Sequence, residues 1–470
     1  MVFSSPLFLF GFLPIFLALY AEIPTRALNT TALIASILFY AWGEPMFVLA
    51  AVASATFDLL VVRLMVASSR PRTRRLLVGV GVSANLGLLA YVKYANFAYA
   101  NVESLVAAWL GIHLPHMPAI ALPIGISFIV FEKITYIVDV HRGVSRPALS
   151  VRDYLLYVFL FPKLLAGPII KYHDIAQQLV HRPRRFDDVA AGLTRFAIGL
   201  AKKVLLADPM GEFADMAFAP GEAIGFRLAW VGAIAYALQI FFDFSGYSDM
   251  AIGLARMIGF RLMENFVRPY LAIGFGDFWR RWHISLSTWI RDYLYIPLGG
   301  ERISTPRLYV NLWICFLASG LWHGAAWTFV LWGAYHGLFL TLDRLFLKRL
   351  LTGLPRAAGI GFTFLAVTIG WVLFRAPDAG GALTYLAAMI DPLGGSHRVA
   401  LATRDLYLVM AVGLTICFLP AVDRFERLHE RLRASPQWPT ISMAFAAGLL
   451  AVSIAKATTV AFHPFLYFRF

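Results

Sequence analysis

Ala357-Ala-Gly-Ile-Gly-Phe-Thr-Phe-Leu-Ala-Val-Thr-Ile-Gly-Trp-Val-Leu-Phe374 runs through 18 residues without a charge. At 1.5 Å per residue a helix of that length covers ~27 Å, close to the ~30 Å hydrocarbon core of a bilayer. Leu76–Tyr94 is a second long apolar run. In lipid every backbone N–H and C=O must be satisfied internally, which leaves helices and closed barrels. Barrel strands would show alternating segments of ~10 residues. Unbroken runs of this kind therefore predict helices, and similar runs recur along nearly the whole chain.

The composition agrees. Of 470 residues, 60% are hydrophobic and 14% charged, which excludes an ordinary soluble globule. The formal charge of +14 could suggest nucleic acid. However, the Lys and Arg residues sit in short clusters between apolar runs rather than along one aromatic-interleaved surface, so no nucleic-acid partner is expected. Cys315 and Cys417 both lie within apolar runs, which supports neither a disulfide framework nor a cysteine metal site, and no metal is expected. Pro6–Tyr20 has no positive n-region and no small-residue cleavage pattern, so it reads as a retained first helix. Its nearest positive charge, Arg26, follows it and favours an outside N-terminus.

Apolar segments are predicted at 5–20, 28–42, 46–66, 76–95, 119–139, 153–168, 189–207, 226–258, 274–296, 308–322, 326–342, 357–375, 404–420 and 438–456. Basic connections, among them Arg70–Arg75, Arg142–Arg152, Arg182–Arg185, Arg302/Arg307, Arg344–Arg356 and Arg424–Arg433, mark the cytoplasmic side. Segments 153–168 and 274–296 have such connections on both flanks, so each is expected to enter and leave by one face as a re-entrant element. Phe161-Pro-Lys-Leu-Leu-Ala-Gly-Pro168 holds two prolines and a lysine, and Asp277–Asp292 holds five charges. Both should lie inside protein or beside water. Counting from the basic loops places the terminal peptide Phe462–Phe470 outside. With no repeat or linker, one domain over 1–470 is expected.

Four constellations could carry chemistry. His323, in Ala318-Ser-Gly-Leu-Trp-His-Gly-Ala-Ala-Trp-Thr-Phe329, places an ionisable imidazole between two apolar runs. A titratable group at membrane depth is costly and hence a functional candidate; a core histidine bonded to a helix carbonyl is the bland alternative. His336 ranks below it, as structural. Around His283, a helical projection puts Arg280, Ser287 and Arg291 within about 20° of one line and Phe278, Trp282, Leu286, Trp289 and Tyr293 opposite. This is either an interfacial helix with snorkelling arginines or an anion-binding wall of Arg280, Arg281 and Arg291. In Phe241–Gly253, Asp243 and Asp249 could serve as acid and base or bind a cation. With Ser245, Tyr247 and Gly246 they read better as a polar network at a helix irregularity. In the terminal peptide, Pro464 ends any helix, and an extended run would put Phe465, Tyr467 and Arg469 on one face. An aromatic anchor at the interface is the plainer reading; Tyr467 entering a cavity as nucleophile is the functional one.

Seven stretches carry a resemblance: Leu122-Pro-Ile-Gly-Ile-Ser-Phe, Phe161-Pro-Lys-Leu-Leu-Ala-Gly-Pro-Ile, Asp243-Phe-Ser-Gly-Tyr-Ser-Asp-Met-Ala-Ile-Gly, Asn265-Phe, Asp277-Phe-Trp-Arg-Arg-Trp-His-Ile-Ser-Leu-Ser-Thr-Trp-Ile-Arg-Asp-Tyr, Tyr295-Ile-Pro-Leu-Gly-Gly and Leu321-Trp-His-Gly. Together, over about 120–340, the chain resembles the membrane-bound O-acyltransferases. It is most similar to their bacterial branch of alginate O-acetyltransferase-like and teichoic-acid D-alanyl-transferase-like proteins.

The resemblance implies an all-α polytopic fold of about 11–13 transmembrane helices plus re-entrant segments around a central tunnel. His323 matches the near-invariant family histidine, and His283 a second position that varies between Asn, Asp and His. The ending Phe-Leu-Tyr467-Phe-Arg-Phe is similar to a family tail motif whose tyrosine is proposed to carry the acyl group. A phenol is more acidic than an alkyl alcohol, so its ester is activated, and a neutral His323 would serve as base. The implied function is transfer of acetyl from cytoplasmic acetyl-CoA to an extracytoplasmic, alginate-like polysaccharide. The catalytic residues would be His323, His283 and Tyr467; the donor would lie at Arg280, Arg281, Trp282 and Arg291; Asp243, Ser245, Tyr247 and Asp249 would line the tunnel. No bound cofactor is implied. Partners would be an extracytoplasmic acyltransferase, soluble or anchored, the polysaccharide and the bilayer of a bacterial inner membrane, with both termini outside. D-alanyl transfer from a carrier protein is the rival chemistry. A transporter is the rival from another class, weakened by the lack of an inverted repeat.

Overall fold

The computed structural model describes residues 1–183, 185–219, 224–393, 403–459 and 464–466. Among these residues there are helices and no strand. The backbone clusters into two compact units, Met1–Val189 with Leu254–Met263, and Ala190–Gly253 with Glu264–Phe470.

The first unit contains α1 (Leu7–Glu22), α2 (Leu28–Gly43), α3 (Phe47–Ala67), α4 (Pro71–Leu110), α5 (Ile126–His141), α6 (Val151–Phe159), α7 (Phe161–Leu164) and α8 (Tyr172–Val180). Helix α4 is twice as long as the expected 76–95, because nothing between Pro71 and the left-handed Gly111 (φ 65°) interrupts it. Its 40 residues span ~60 Å. Helix α5 is buried on nearly every side, including its charges. Lys133 lies 3.2 Å from the Asp58 carboxylate of α3, to which Asn85 of α4 donates at 2.8 Å.

The expected re-entrant segment 153–168 consists of helices too short to cross a bilayer, broken at Leu160 ahead of Pro162. Its lysine is not beside water. Lys163 is 1% exposed and forms an ion pair with Glu132 of α5. Removing one partner of such a pair leaves an uncompensated buried charge at a cost of ~3–5 kcal/mol. Glu132→Ala is therefore expected to lower the thermal midpoint of the purified protein sharply, whereas Glu132→Ala/Lys163→Met should recover much of the loss. Arg182 lies in the connection between α8 and the next helix, as expected, but not at the surface. It is buried, donating to the Tyr20 hydroxyl at 2.8 Å and Asn29 Oδ1 at 2.6 Å, with its guanidinium 4.1 Å from the Phe260 ring. Arg184 lies outside the described residues.

The second unit takes in most of α9 (Phe186–Ala201), α10 (Asp208–Ala217) and most of α11 (Phe226–Met257), then α12 (Phe275–Arg281), α13 (Ile284–Ile290), α14 (Thr305–His323) and α15 (Trp327–Leu342). It continues with α16 (Lys348–Gly353), α17 (Arg356–Arg375), α18 (Ala379–Ile390), α19 (Arg404–Phe418), α20 (Asp423–Ala434) and α21 (Trp438–Thr459). Helix α11 runs unbroken through Gly246, where an irregularity was expected. The glycine serves packing instead, since a Cβ there would lie 2.8 Å from the Gly199 carbonyl oxygen. Between α9 and α10 the backbone loosens into a π-helical turn, Lys202–Ala207, which carries the buried Lys203.

Six described helices are long and apolar enough to cross a membrane: α3, α4, α11, α17, Arg404–Ala421 and α21. That is fewer than the 11–13 expected on the family plan. Shorter apolar helices, among them Leu7–Glu22 and Ala379–Ile390, stand beside these six. The chain is an all-α polytopic membrane protein.

Candidate active site

The charged segment 274–296, read above as one helix, breaks at its histidine. Helix α12 ends at Arg281, Trp282 is extended (φ −103°, ψ 128°) and His283 is left-handed (φ 44°, ψ 54°) before α13 begins. The loop Glu264–Arg268 runs alongside and satisfies the exposed backbone. Ile284 N–H donates to the Asn265 carbonyl at 3.0 Å, and Val267 N–H to that of Arg281 at 2.9 Å. His283 and Arg268 are the only described non-glycine residues with positive φ. A left-handed, non-glycine residue persists where its surroundings over-determine it, as at functional sites.

Asn265 holds the His283 ring. Its Oδ1 accepts from Ser285 N–H at 3.1 Å and Ser285 Oγ at 2.9 Å, and lies 3.2 Å from His283 Nδ1. An amide oxygen only accepts, so His283 Nδ1 carries the proton and Nε2 keeps its lone pair. The amide is oriented by Ser248, to which its Nδ2 donates at 3.2 Å. Asn265, His283 and Ser285 are almost fully buried.

His323 is the last residue of α14, at the tip of a tight hairpin with α15. It is 5% exposed, with the rings of Trp332 at 5.0 Å, Trp322 at 5.0 Å and Phe374 at 5.2 Å. Trp322 is also 6.0 Å from His283, so the two imidazoles flank one indole. His336, fully buried on α15, accepts from Trp279 Nε1 at 3.2 Å through Nδ1. This hydrogen bond fixes the orientation of the Trp279 indole.

Two cavities bring charge into this unit. The first, about 760 Å³, is lined by Arg280, Arg291, Arg344 and Lys348, opposed by Asp343, with Trp279 and Phe316 as apolar walls. A narrower apolar space of about 150 Å³ shares several of these walls and reaches Cys315 and Ser319, one helical turn before His323. Arg280, Ser287 and Arg291 thus do face one cavity, although the single helix used to align them does not exist. Arg281 instead pairs with Asp277 at 3.1 Å, and Trp282 packs into the aromatic core against Trp371 at 4.9 Å. The second cavity, about 650 Å³, is lined by Arg195, Lys202, Arg268 and Arg433 with Asp249 and Glu264. Arg268 donates to Glu426 at 2.9 Å, and this hydrogen bond holds that interfacial carboxyl below its ordinary range. Neither cavity is lined by His283 or His323.

The residues read as one tunnel network part ways. Asp249 faces the second cavity, bound by Lys202 at 2.6 Å and Arg195 at 2.8 Å. Asp243 points elsewhere, to Lys203 at 2.8 Å. Ser245 and Tyr247 are buried between them in sequence. Tyr467 and Arg469 lie outside the described residues, but Phe465 and Leu466, immediately before the tyrosine, are buried at 1% and 3% exposure.

Comparison with known proteins gives the family. The family model of the membrane-bound O-acyltransferases matches residues 140–373. A protein named probable alginate O-acetylase AlgI, from Pseudomonas putida, is 41% identical over the whole of both chains. The chain is a membrane-bound O-acyltransferase. The Pseudomonas aeruginosa protein of the same name is 45% identical over 83% of this chain and 75% of its own. A peptidoglycan O-acetyltransferase from Helicobacter pylori is 34% identical over 84% and 81%.

Several residues of this O-acyltransferase's site escaped sequence reading. Asn265 appeared only as part of a matched dipeptide, yet it fixes His283 across 18 residues of chain. Lys203, inside the predicted apolar segment 189–207, was not singled out, and it is the buried counter-ion of both Asp243 and Asp208. A lysine pair inside a predicted span was the available signal for a buried carboxylate partner. The strain at His283 had no signal in sequence at all.

Proposed function

We propose that this O-acyltransferase moves acetyl groups from cytoplasmic acetyl-CoA across the bacterial inner membrane for O-acetylation of an extracytoplasmic, alginate-like polysaccharide, delivered through a partner acyltransferase. The observation that carries the reading is the full-length similarity to proteins named for O-acetylation of alginate, joined to a pair of buried imidazoles flanking Trp322. The basic cavity of Arg280 and Arg291 suits the phosphates of the donor. Its apolar extension toward Ser319 suits passage of a small acyl group in the direction of His323. Trp282 and Arg281, behind these walls, would support them rather than touch the donor. The tunnel and the outward placement of both termini belong to the same proposal.

In the reaction, the Tyr467 phenol oxygen attacks the thioester carbon as its proton passes to the neutral His323. The carbon–sulfur bond breaks, and the coenzyme A thiolate leaves with that proton. His283, with its Nε2 lone pair free of the proton, assists at the donor side. The tyrosine ester then gives its acetyl to an outside hydroxyl, whose proton returns to the phenol oxygen.

The test is incubation of the purified protein with radiolabelled acetyl-CoA, followed by mass analysis of the peptide that contains Tyr467. Label on Tyr467 without any carrier protein is the expected result, with none in Tyr467→Phe. Unimpaired acetylation by Tyr467→Phe would overturn the relay and leave direct attack by the sugar hydroxyl. A strict need for an acyl-carrier protein would overturn acetyl-CoA as donor.

A further inference from the structure

We infer that Asp243 is the seat of the segment Phe465–Leu466: its carboxylate accepts the backbone N–H of Leu466 and thereby holds this segment in the core, as acyl transfer requires. The bond is 2.7 Å long, buried, and joins positions 223 apart in sequence. The other carboxylate oxygen lies 2.8 Å from Lys203 Nζ, which is itself 2.7 Å from Asp208. The carboxylate is thus locked on one side by an ammonium and offers its second oxygen to the peptide.

Independent packing supports the seat. The Phe465 ring lies 4.7 Å from that of Tyr247 and 6.0 Å from that of Phe244, and Leu466 joins the main apolar core of the second unit. Phe244 in turn meets His283 edge-on at 4.6 Å. A non-helical peptide segment has no reason to stay buried without a polar anchor for its backbone, because each buried N–H must find an acceptor. Asp243 supplies that acceptor one ring away from a site imidazole. This deepens the tyrosine-relay reading and rests on it only for the chemistry: Asp243 is a positioning residue whose hold on Leu466 the acyl-transfer step needs.

Asp243→Ala would orphan Lys203 and risks misfolding, so the decisive variant is Leu466→Pro, which removes the N–H and leaves Asp243 untouched. Leu466→Ile keeps the N–H and serves as control. Two readouts are needed on the full chain in membranes: acetyl transfer, and hydrogen–deuterium exchange at the Phe465 amide. The wild type and Leu466→Ile are expected to exchange slowly there. Leu466→Pro should exchange roughly tenfold faster or more, with transfer lowered roughly 10²-fold by misplacement and the KM for acetyl-CoA unchanged. Wild-type exchange and transfer in Leu466→Pro would overturn the seat and leave Asp243 as a mere counter-ion of Lys203. Should Tyr467→Phe prove fully active, the relay fails, but the exchange readout still decides the seat.

Discussion

His323→Ala is expected to abolish acetyl transfer, with a loss of roughly 10²–10⁴-fold or more, the range for removing a positioned general acid–base group. The imidazole is 5% exposed and walled by Trp322, Trp332 and Phe374, so alanine also opens a hole in an aromatic wall. His323→Gln, nearer in size and still polar, separates the two effects. Both variants should reach the membrane at wild-type levels, and His323→Gln should keep its thermal midpoint. The measurement is the acetyl content of secreted polymer by mass, alongside transfer from acetyl-CoA by the purified protein. Substantial transfer by His323→Gln would remove proton transfer at this position from the chemistry.

Gly320→Ala is expected to cause a large loss of stability in the second unit. A Cβ at 320 would fall 2.2 Å from the Phe329 carbonyl oxygen, and across the same interface one at Gly333 would fall 2.5 Å from that of Phe316. The obstacle is backbone, which cannot swing aside, so α14 and α15 must separate. Overpacking costs ~1–3 kcal/mol in ordinary cores and occasionally more, and here it would also shift His323, three residues further along the same helix. Thermal unfolding in detergent should show a large drop for Gly320→Ala. Gly79→Ala, with open space around its would-be Cβ, should show none or a small gain from helix propensity. Equal behaviour of the two variants would mean that the hairpin is not closely packed.

Much of the architecture could be read from the chain. Uncharged runs such as Ala357–Phe374 predict helices in lipid, and α17 occupies that run. The prolines near Phe161 and the charges around His283 marked segments unable to cross, and both form short broken helices. What such patterns could not convey was the character of the burial. Lys163 was expected inside protein or beside water, and it lies inside protein against Glu132; Arg182 was read as a charge in a connection, and within that connection it is buried and ties Tyr20 to Asn29. A charge in an apolar run signals that something must compensate it, without saying whether that is solvent or a partner far away in sequence.

The site divides along the same line. Sequence alone determined the helical membrane class, the family, and His323 and His283 as the residues to examine, because hydrophobic run length and matched motifs are local properties of the chain. Only the tertiary structure decided that Asn265 sets the His283 tautomer, that Asp243 and Asp249 serve separate partners, and that Leu466 returns to Asp243. Those are hydrogen bonds between residues 18, 54 and 223 positions apart, and they form because a buried polar group takes whichever partner the packed helices bring within hydrogen-bonding distance, here 2.7 to 3.2 Å.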